Sequence, residues 1–156
     1  MAEGVWPSVP ETEDPWVNAK AARWMSPGGQ AVVRAGLLAW NAAGREGSAD
    51  PRRTGILVIG VEGGWPEWLK DKSPAQIAGE WRAKPPLWLL ESLPNLPAAQ
   101  LAIEIGVKGP VESRRSRTDD EAMVERTLRR WQPRGVRTVL VVRSFSETAK
   151  AEVWAL

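Results

Sequence analysis

Residues 93–110 read LPNLPAAQLAIEIGVKGP, a pattern typical of a loop, a closely packed helix, a glycine stop and the start of a strand. Pro97 is favourable in the first helical turn, because the N–H that it lacks would have no helical partner there. Alanine, leucine and isoleucine side chains then form a face of small residues. Gly106 is predicted to end the helix. Pro110 is expected at the first residue of the strand or on an edge.

Further elements are predicted on both sides of this stretch. Ser26 and Pro27 begin a largely buried helix that ends near Gly44. The continuous apolar runs at residues 54–61 and 136–142 predict strands that are covered on both faces. Alternating residues at 151–156 predict a last, antiparallel strand. Together these elements predict an α/β fold with a mixed, mostly parallel sheet and helices packed on its faces.

Length and the N-terminal residues bear on domain organisation. A chain of 156 residues is typical of one domain. Residues 1–15 place prolines among acidic residues and are predicted to be an extended or disordered lead-in to a domain over residues 16–156. The chain begins without a basic region followed by an apolar one, and no apolar run is long enough to span a bilayer. A cytoplasmic location is therefore expected.

Composition excludes several kinds of chemistry. The sequence has no cysteine and no histidine, which excludes disulfides, thiolate ligands, cysteine nucleophiles and histidine bases. No cofactor and no metal site are predicted. The formal net charge of +2 is nearly balanced, so a dedicated nucleic-acid binder is not expected.

Residues 113–121 read SRRSRTDDE and combine a basic cluster with a helix start. Thr118 and Glu121 fit a capping box at the start of an amphipathic helix. Arg114, Arg115 and Arg117 precede that helix, and a helix N-terminus flanked by arginines can hold a phosphate or carboxylate. Alternatively, these arginines pair with nearby acidic residues or face solvent.

Tryptophan dominates the aromatic composition, with ten tryptophans, one phenylalanine and no tyrosine. Several of them lie in the long irregular connection at residues 65–92, a kind of segment that often forms an interface. The candidate partner-facing anchors are Trp65, Trp68, Trp81 and Trp88. The alternative is that they build a core and its rim.

The stretch at residues 93–99, followed by Ile103, Gly106 and residues 109–110, resembles the β-ketoacyl synthases of the thiolase-like superfamily. Over residues 20–156 the order of elements is similar to the N-terminal half of that family. The resemblance implies a thiolase-like half-domain. It also implies that the strand at residues 109–116, with Val111 and Ser113, lies at a dimer interface.

The nucleophile turn is where the chain departs from the family. The resemblance places that turn at Arg117 and Thr118, and no cysteine is present there. A pseudoenzyme is therefore expected rather than an enzyme. It would associate with itself, with a full-length catalytic ketosynthase or with an acyl carrier protein, in fatty-acid or polyketide biosynthesis. The alternative is an anion-binding or protein-interaction module that uses the cluster at Arg114–Arg117.

Overall fold

A computed structural model describes residues 19–44, 49–62, 66–84 and 87–156. The predicted lead-in at residues 1–15 and Trp65 lie outside these ranges. The described chain contains a four-stranded sheet in the order β2-β1-β3-β4. The strands are β1 (Thr54–Ile59), β2 (Val111–Arg114), β3 (Thr138–Phe145) and β4 (Thr148–Ala155).

Strand directions confirm the predicted α/β class with a mixed, mostly parallel sheet. β1 pairs in parallel with β2 on one side and with β3 on the other, and β4 is antiparallel to β3. The prediction of an antiparallel last strand is therefore correct. The predicted start at residue 151 lies too far along the sequence, because β4 begins at Thr148, soon after a tight turn at Ser146. β3 in turn begins at Thr138 rather than at residue 136 and continues to Phe145.

Helices cover both faces of this sheet. The helices of the described residues are α1 (Ala19–Ala22), α2 (Pro27–Ala42), α3 (Pro74–Glu80), α4 (Leu96–Ile105) and α5 (Asp120–Trp131), of which α2, α4 and α5 pack on the sheet. The start of α2 is as predicted, since the Ser26 hydroxyl accepts a hydrogen bond from the amide of Gly29. α4 ends at Gly106, which has a φ of 79°, a left-handed conformation that glycine adopts without steric cost.

One face of the sheet packs against α2 and α4. Ile56 and Val58 of β1 and Leu140 and Val142 of β3 join the buried apolar residues of these two helices in one cluster. Leu101 of α4 is fully buried in this cluster. The small-residue face predicted for residues 97–105 therefore packs against the sheet and α2.

The opposite face packs against α5, and this packing fixes where the helix lies. Trp131 is 1% exposed and is the largest fully buried side chain. A Cβ atom on Gly55 would lie only 2.8 Å from the Trp131 ring, so glycine at this position lets the indole rest on β1. The apolar stripe of α5 therefore faces the sheet, while its arginines lie on the exposed sides.

The connection between β1 and α4 is built differently from the rest of the fold. It contains α3 and short helical turns at Glu67–Leu69, Trp81–Ala83 and Trp88–Ser92. None of residues 68–84, 87–90 and 92–96 is buried. Because these residues bury little apolar surface, this connection between β1 and α4 packs against the domain more weakly than the helices on the sheet do. We call it the excursion.

Candidate anion-binding groove

The first turn of α5 differs from the sequence prediction. The residue before the helix is Asp119, and its side chain makes no capping hydrogen bond. Asp120 instead accepts hydrogen bonds from the backbone amide of Arg117, at 2.7 Å, and from the Ser116 hydroxyl, at 2.6 Å. The predicted capping box with Thr118 is therefore wrong, because Asp120 binds the preceding loop in place of the threonine.

The same turn places acidic side chains close to the predicted anion site. Asp119, Asp120 and Glu121 put three carboxylates at the N-terminus of α5. These charges interact favourably with the helix dipole but repel a ligand anion. A ligand phosphate or carboxylate therefore has no favourable position at this helix N-terminus.

A basic groove lies along the side of α5 instead, where the helix faces β2. It is lined by Arg114, Arg117, Met123, Arg126, Thr127 and Arg130 and has a volume of about 360 Å³. The four residues from α5 follow the spacing i, i+3, i+4 and i+7, so they share one side of the helix. Two of the three predicted anion-binding arginines are in the groove, and Arg115 does not line it.

Glu112 positions two of the arginine side chains that line this groove. Its carboxylate accepts hydrogen bonds from Arg114 at 2.7 Å and from Arg130 at 2.5 Å. Burial, the largest single influence, raises the pKa of Glu112, but these hydrogen bonds and the two positive charges outweigh it and lower the pKa below its ordinary 4.5. Glu112 is therefore ionised at neutral pH and orients both guanidinium groups.

The outer part of the groove has less compensating negative charge. Asp119 pairs with Arg126 at 3.1 Å. The hydrogen bond from Arg126 and the nearby charges of Arg126 and Arg117 lower the pKa of Asp119. Arg117 itself has no carboxylate within ion-pair distance in the described part of the chain. The Arg117 guanidinium therefore forms no ion pair in the described ranges, although its charge acts on the nearby Asp119 carboxylate.

β2 forms the free edge of the sheet beside the groove. Backbone bonds from Ile56 to Pro110 and from Gly60 to Arg114 show that the even-numbered residues of β2 face β1. In a parallel ladder the alternate residues then direct their N–H and C=O groups outward. These residues are Val111, which is 38% exposed, and Ser113. The predicted interface strand is thus an edge strand.

The predicted tryptophan anchors fall into different environments. Trp68 and Trp88 are half-buried and form an edge-to-face pair with ring centroids 4.8 Å apart. Lys84 lies 5.0 Å above the Trp68 ring. Trp81 is 47% exposed. Trp81 is therefore the most exposed of the described anchors, with the Arg82 guanidinium 5.5 Å from its ring centroid, and none of these anchors lines the groove.

A second cleft lies at the carboxyl ends of β1 and β3, with a volume of about 470 Å³. Its hydroxyl groups include those of Ser26 and Ser116, which are already bonded to the start of α2 and to Asp120. Glu62 and Glu147 add carboxylates to its wall. This mixed lining indicates no single class of ligand, whereas the groove is lined by four arginines and no carboxylate.

No group of three or more acidic side chains lies close enough together to hold a metal ion in the described ranges. The helices that the structure describes include none with the length and apolar character needed to cross a bilayer. Thr118 is exposed at the turn where the resemblance places a nucleophile.

Arg126 and Arg130 were not among the site residues predicted from the sequence. One available signal was their spacing, because like charges at i and i+4 destabilise an isolated helix. Such a pair needs a nearby anion, and Glu112 and Asp119 provide this only in part. That these arginines face β2 depends on tertiary packing, which local sequence does not reveal.

Searches against protein-family models and against curated proteins find no match to this chain.

Proposed function

We propose that this protein is a non-catalytic, ketosynthase-like subunit that binds an acidic partner protein in the groove between β2 and α5. The observation that carries the proposal is the convergence of four arginines on one groove, one of which, Arg117, has no carboxylate partner in the described ranges. Arginine clusters of this kind recognise carboxylates and phosphates through paired hydrogen bonds.

The resemblance to ketosynthases suggests which partners to test first. An acyl carrier protein presents an acidic surface and a phosphodiester in its prosthetic arm, and both have the charge that the groove selects. A full-length ketosynthase is the other expected partner. The sequence order of helix, strand, helix and strand through residues 96–142 supports this choice.

The proposal assigns no catalytic role to Arg117 or Thr118. A threonine hydroxyl needs a base to become a nucleophile, and the sequence offers no histidine. Thr118 lies at an exposed position beside Asp119 and Asp120. Binding through arginine is therefore the chemistry that this region supports best.

Binding of the carrier protein tests this function. Isothermal titration calorimetry with the acyl carrier protein of the same organism should show complex formation that Arg117→Ala combined with Arg130→Ala weakens by about tenfold or more. Arg129→Ala is the matched control, because Arg129 lies on the same helix, is 79% exposed and does not line the groove. Equal affinity of both variants would contradict the proposal.

Self-association is a second candidate function, favoured by a different observation. The excursion displays Trp81, Leu87, Leu89 and Leu93 at exposures between 43% and 52%. Apolar surface of this kind commonly marks an interface. Sedimentation equilibrium should then show a dimer that Trp81→Ser dissociates. Phe145→Ser, which removes an exposed aromatic side chain elsewhere, should leave it intact.

A further inference from the structure

The open edge of β2 and the arginine groove lie side by side, and each suits a different chemical group of a ligand. The outward N–H and C=O groups of Val111 and Ser113 have no backbone partner in the described ranges. The groove next to them is lined by four arginines. A ligand that satisfies both must bring hydrogen-bonding backbone and negative charge together.

We propose that the partner binds as an extended acidic segment that adds a strand to the free edge of β2 and places alternate carboxylates in the groove. This inference rests on the proposed function and names its binding mode. Extended peptides add to sheet edges in many recognition domains, where the main chain supplies affinity and alternate side chains supply specificity.

Glu112 indicates where the added carboxylates would lie. It is on the α5 face of β2, and its carboxylate bridges Arg114 and Arg130. A strand added outside β2 would run about 4.8 Å further out. Every second side chain of that strand would project to the same face as Glu112, toward Arg117 and Arg126. The groove therefore favours an acid at alternate positions.

Charge also explains why the occupant is an acidic segment rather than a second copy of β2. Arg114 is the last residue of the strand, Arg115 follows it, and Arg126 and Arg130 line the groove beside it. A second copy of β2 would add its own arginines to this edge and only Glu112 as a strand carboxylate, and positively charged edge strands resist pairing with themselves. An acidic segment would instead be attracted by the same charges.

The test uses the full chain and a short fluorescein-labelled peptide that alternates glutamate and threonine. The peptide should bind, measured by fluorescence anisotropy, and a peptide of the same composition with its glutamates in one block should bind at least about fivefold more weakly. Arg126→Ala should weaken binding of the alternating peptide by about threefold to tenfold. Arg129→Ala should leave it unchanged.

Backbone pairing has its own readout. N-methylation of alternate amides on one side of the peptide should abolish binding, while methylation of the other alternate set should be tolerated, because only one set faces β2. In hydrogen exchange followed by NMR, the amides of Val111 and Ser113 should become protected on binding. Those of Glu112 and Arg114 should change little, since they already face β1.

Three results would overturn the strand mode. Equal binding of both N-methylated peptides with unprotected amides at Val111 and Ser113 would leave the groove as an acidic-partner site without strand addition. A dimer of the free chain in which these amides are already protected would make a second copy the occupant. Absence of binding by both the peptide and the carrier protein would refute the proposed function as well.

Discussion

Replacing Glu112 with glutamine should strengthen anion binding, although it removes two ion pairs. The Glu112 carboxylate bonds to Arg114 at 2.7 Å and to Arg130 at 2.5 Å, and its negative charge competes with any ligand for both guanidinium groups. Glutamine retains one acceptor oxygen and nearly the same shape. The arginines therefore keep much of their orientation while the groove gains one unit of positive charge.

The size of this gain follows from Coulomb's law. A ligand carboxylate beside Arg117 or Arg126 would lie on the order of 7 Å from the Glu112 carboxylate, where repulsion costs about 0.6–1.2 kcal/mol at effective dielectric constants of roughly 80 to 40. Removing the repulsion should tighten binding by about threefold to eightfold. The gain should shrink at high salt, because mobile ions screen charges near the surface.

Fluorescence anisotropy with the alternating glutamate peptide measures this change directly. Glu125→Gln is the matched control: Glu125 is on α5, pairs with Arg129 and lies outside the groove. It should alter the affinity by less than about twofold, because screening is strong over longer distances. Unchanged or weaker binding in Glu112→Gln would refute the idea that this carboxylate limits the charge available in the groove.

Three further predictions concern stability and assembly. Gly55→Ala should lower the free energy of unfolding by about 1–3 kcal/mol in urea denaturation, because its Cβ atom would lie 2.8 Å from the ring of Trp131. Glu112 and Asp119 have lowered pKa values, so they stabilise the fold above their unfolded pKa values, and this contribution should be lost as the pH falls through the lower folded values. Unfolding midpoints measured between pH 6 and pH 3 should therefore fall less in the double variant Glu112→Gln with Asp119→Asn than in the unaltered chain. If the excursion is an interface, Trp81→Ser should reduce dimer formation without lowering the unfolding midpoint of the monomer, because Trp81 is 47% exposed.

Sequence patterns were sufficient to predict a helix or strand when the pattern lay within the residues of that element. β1 was predictable because a continuous apolar, β-branched run suits a strand that is covered on both faces, and all six residues of Thr54–Ile59 are buried. α2 and α4 were predictable from Ser26 at the start of one and Gly106 at the end of the other. The antiparallel β4 followed from its alternation.

The groove was only partly predictable, because it joins residues that are distant in sequence. Arg130 reaches Glu112 across a separation of 18 residues, and this contact depends on how Trp131 seats α5 on the sheet. The turn before α5 was mispredicted because several neighbouring side chains can serve as caps. There, Asp120 binds the Arg117 amide and the Ser116 hydroxyl, and Thr118 has no capping role.

The central claim is that the arginines beside β2 form a binding site for an acidic partner. The most direct measurement is the affinity of the acyl carrier protein for the unaltered chain, Arg126→Ala and Arg129→Ala at several salt concentrations. We expect affinity to fall as salt rises, with Arg126→Ala weaker and less salt-dependent than Arg129→Ala. Equal affinity and equal salt dependence of the two variants would show that the groove does not bind the partner.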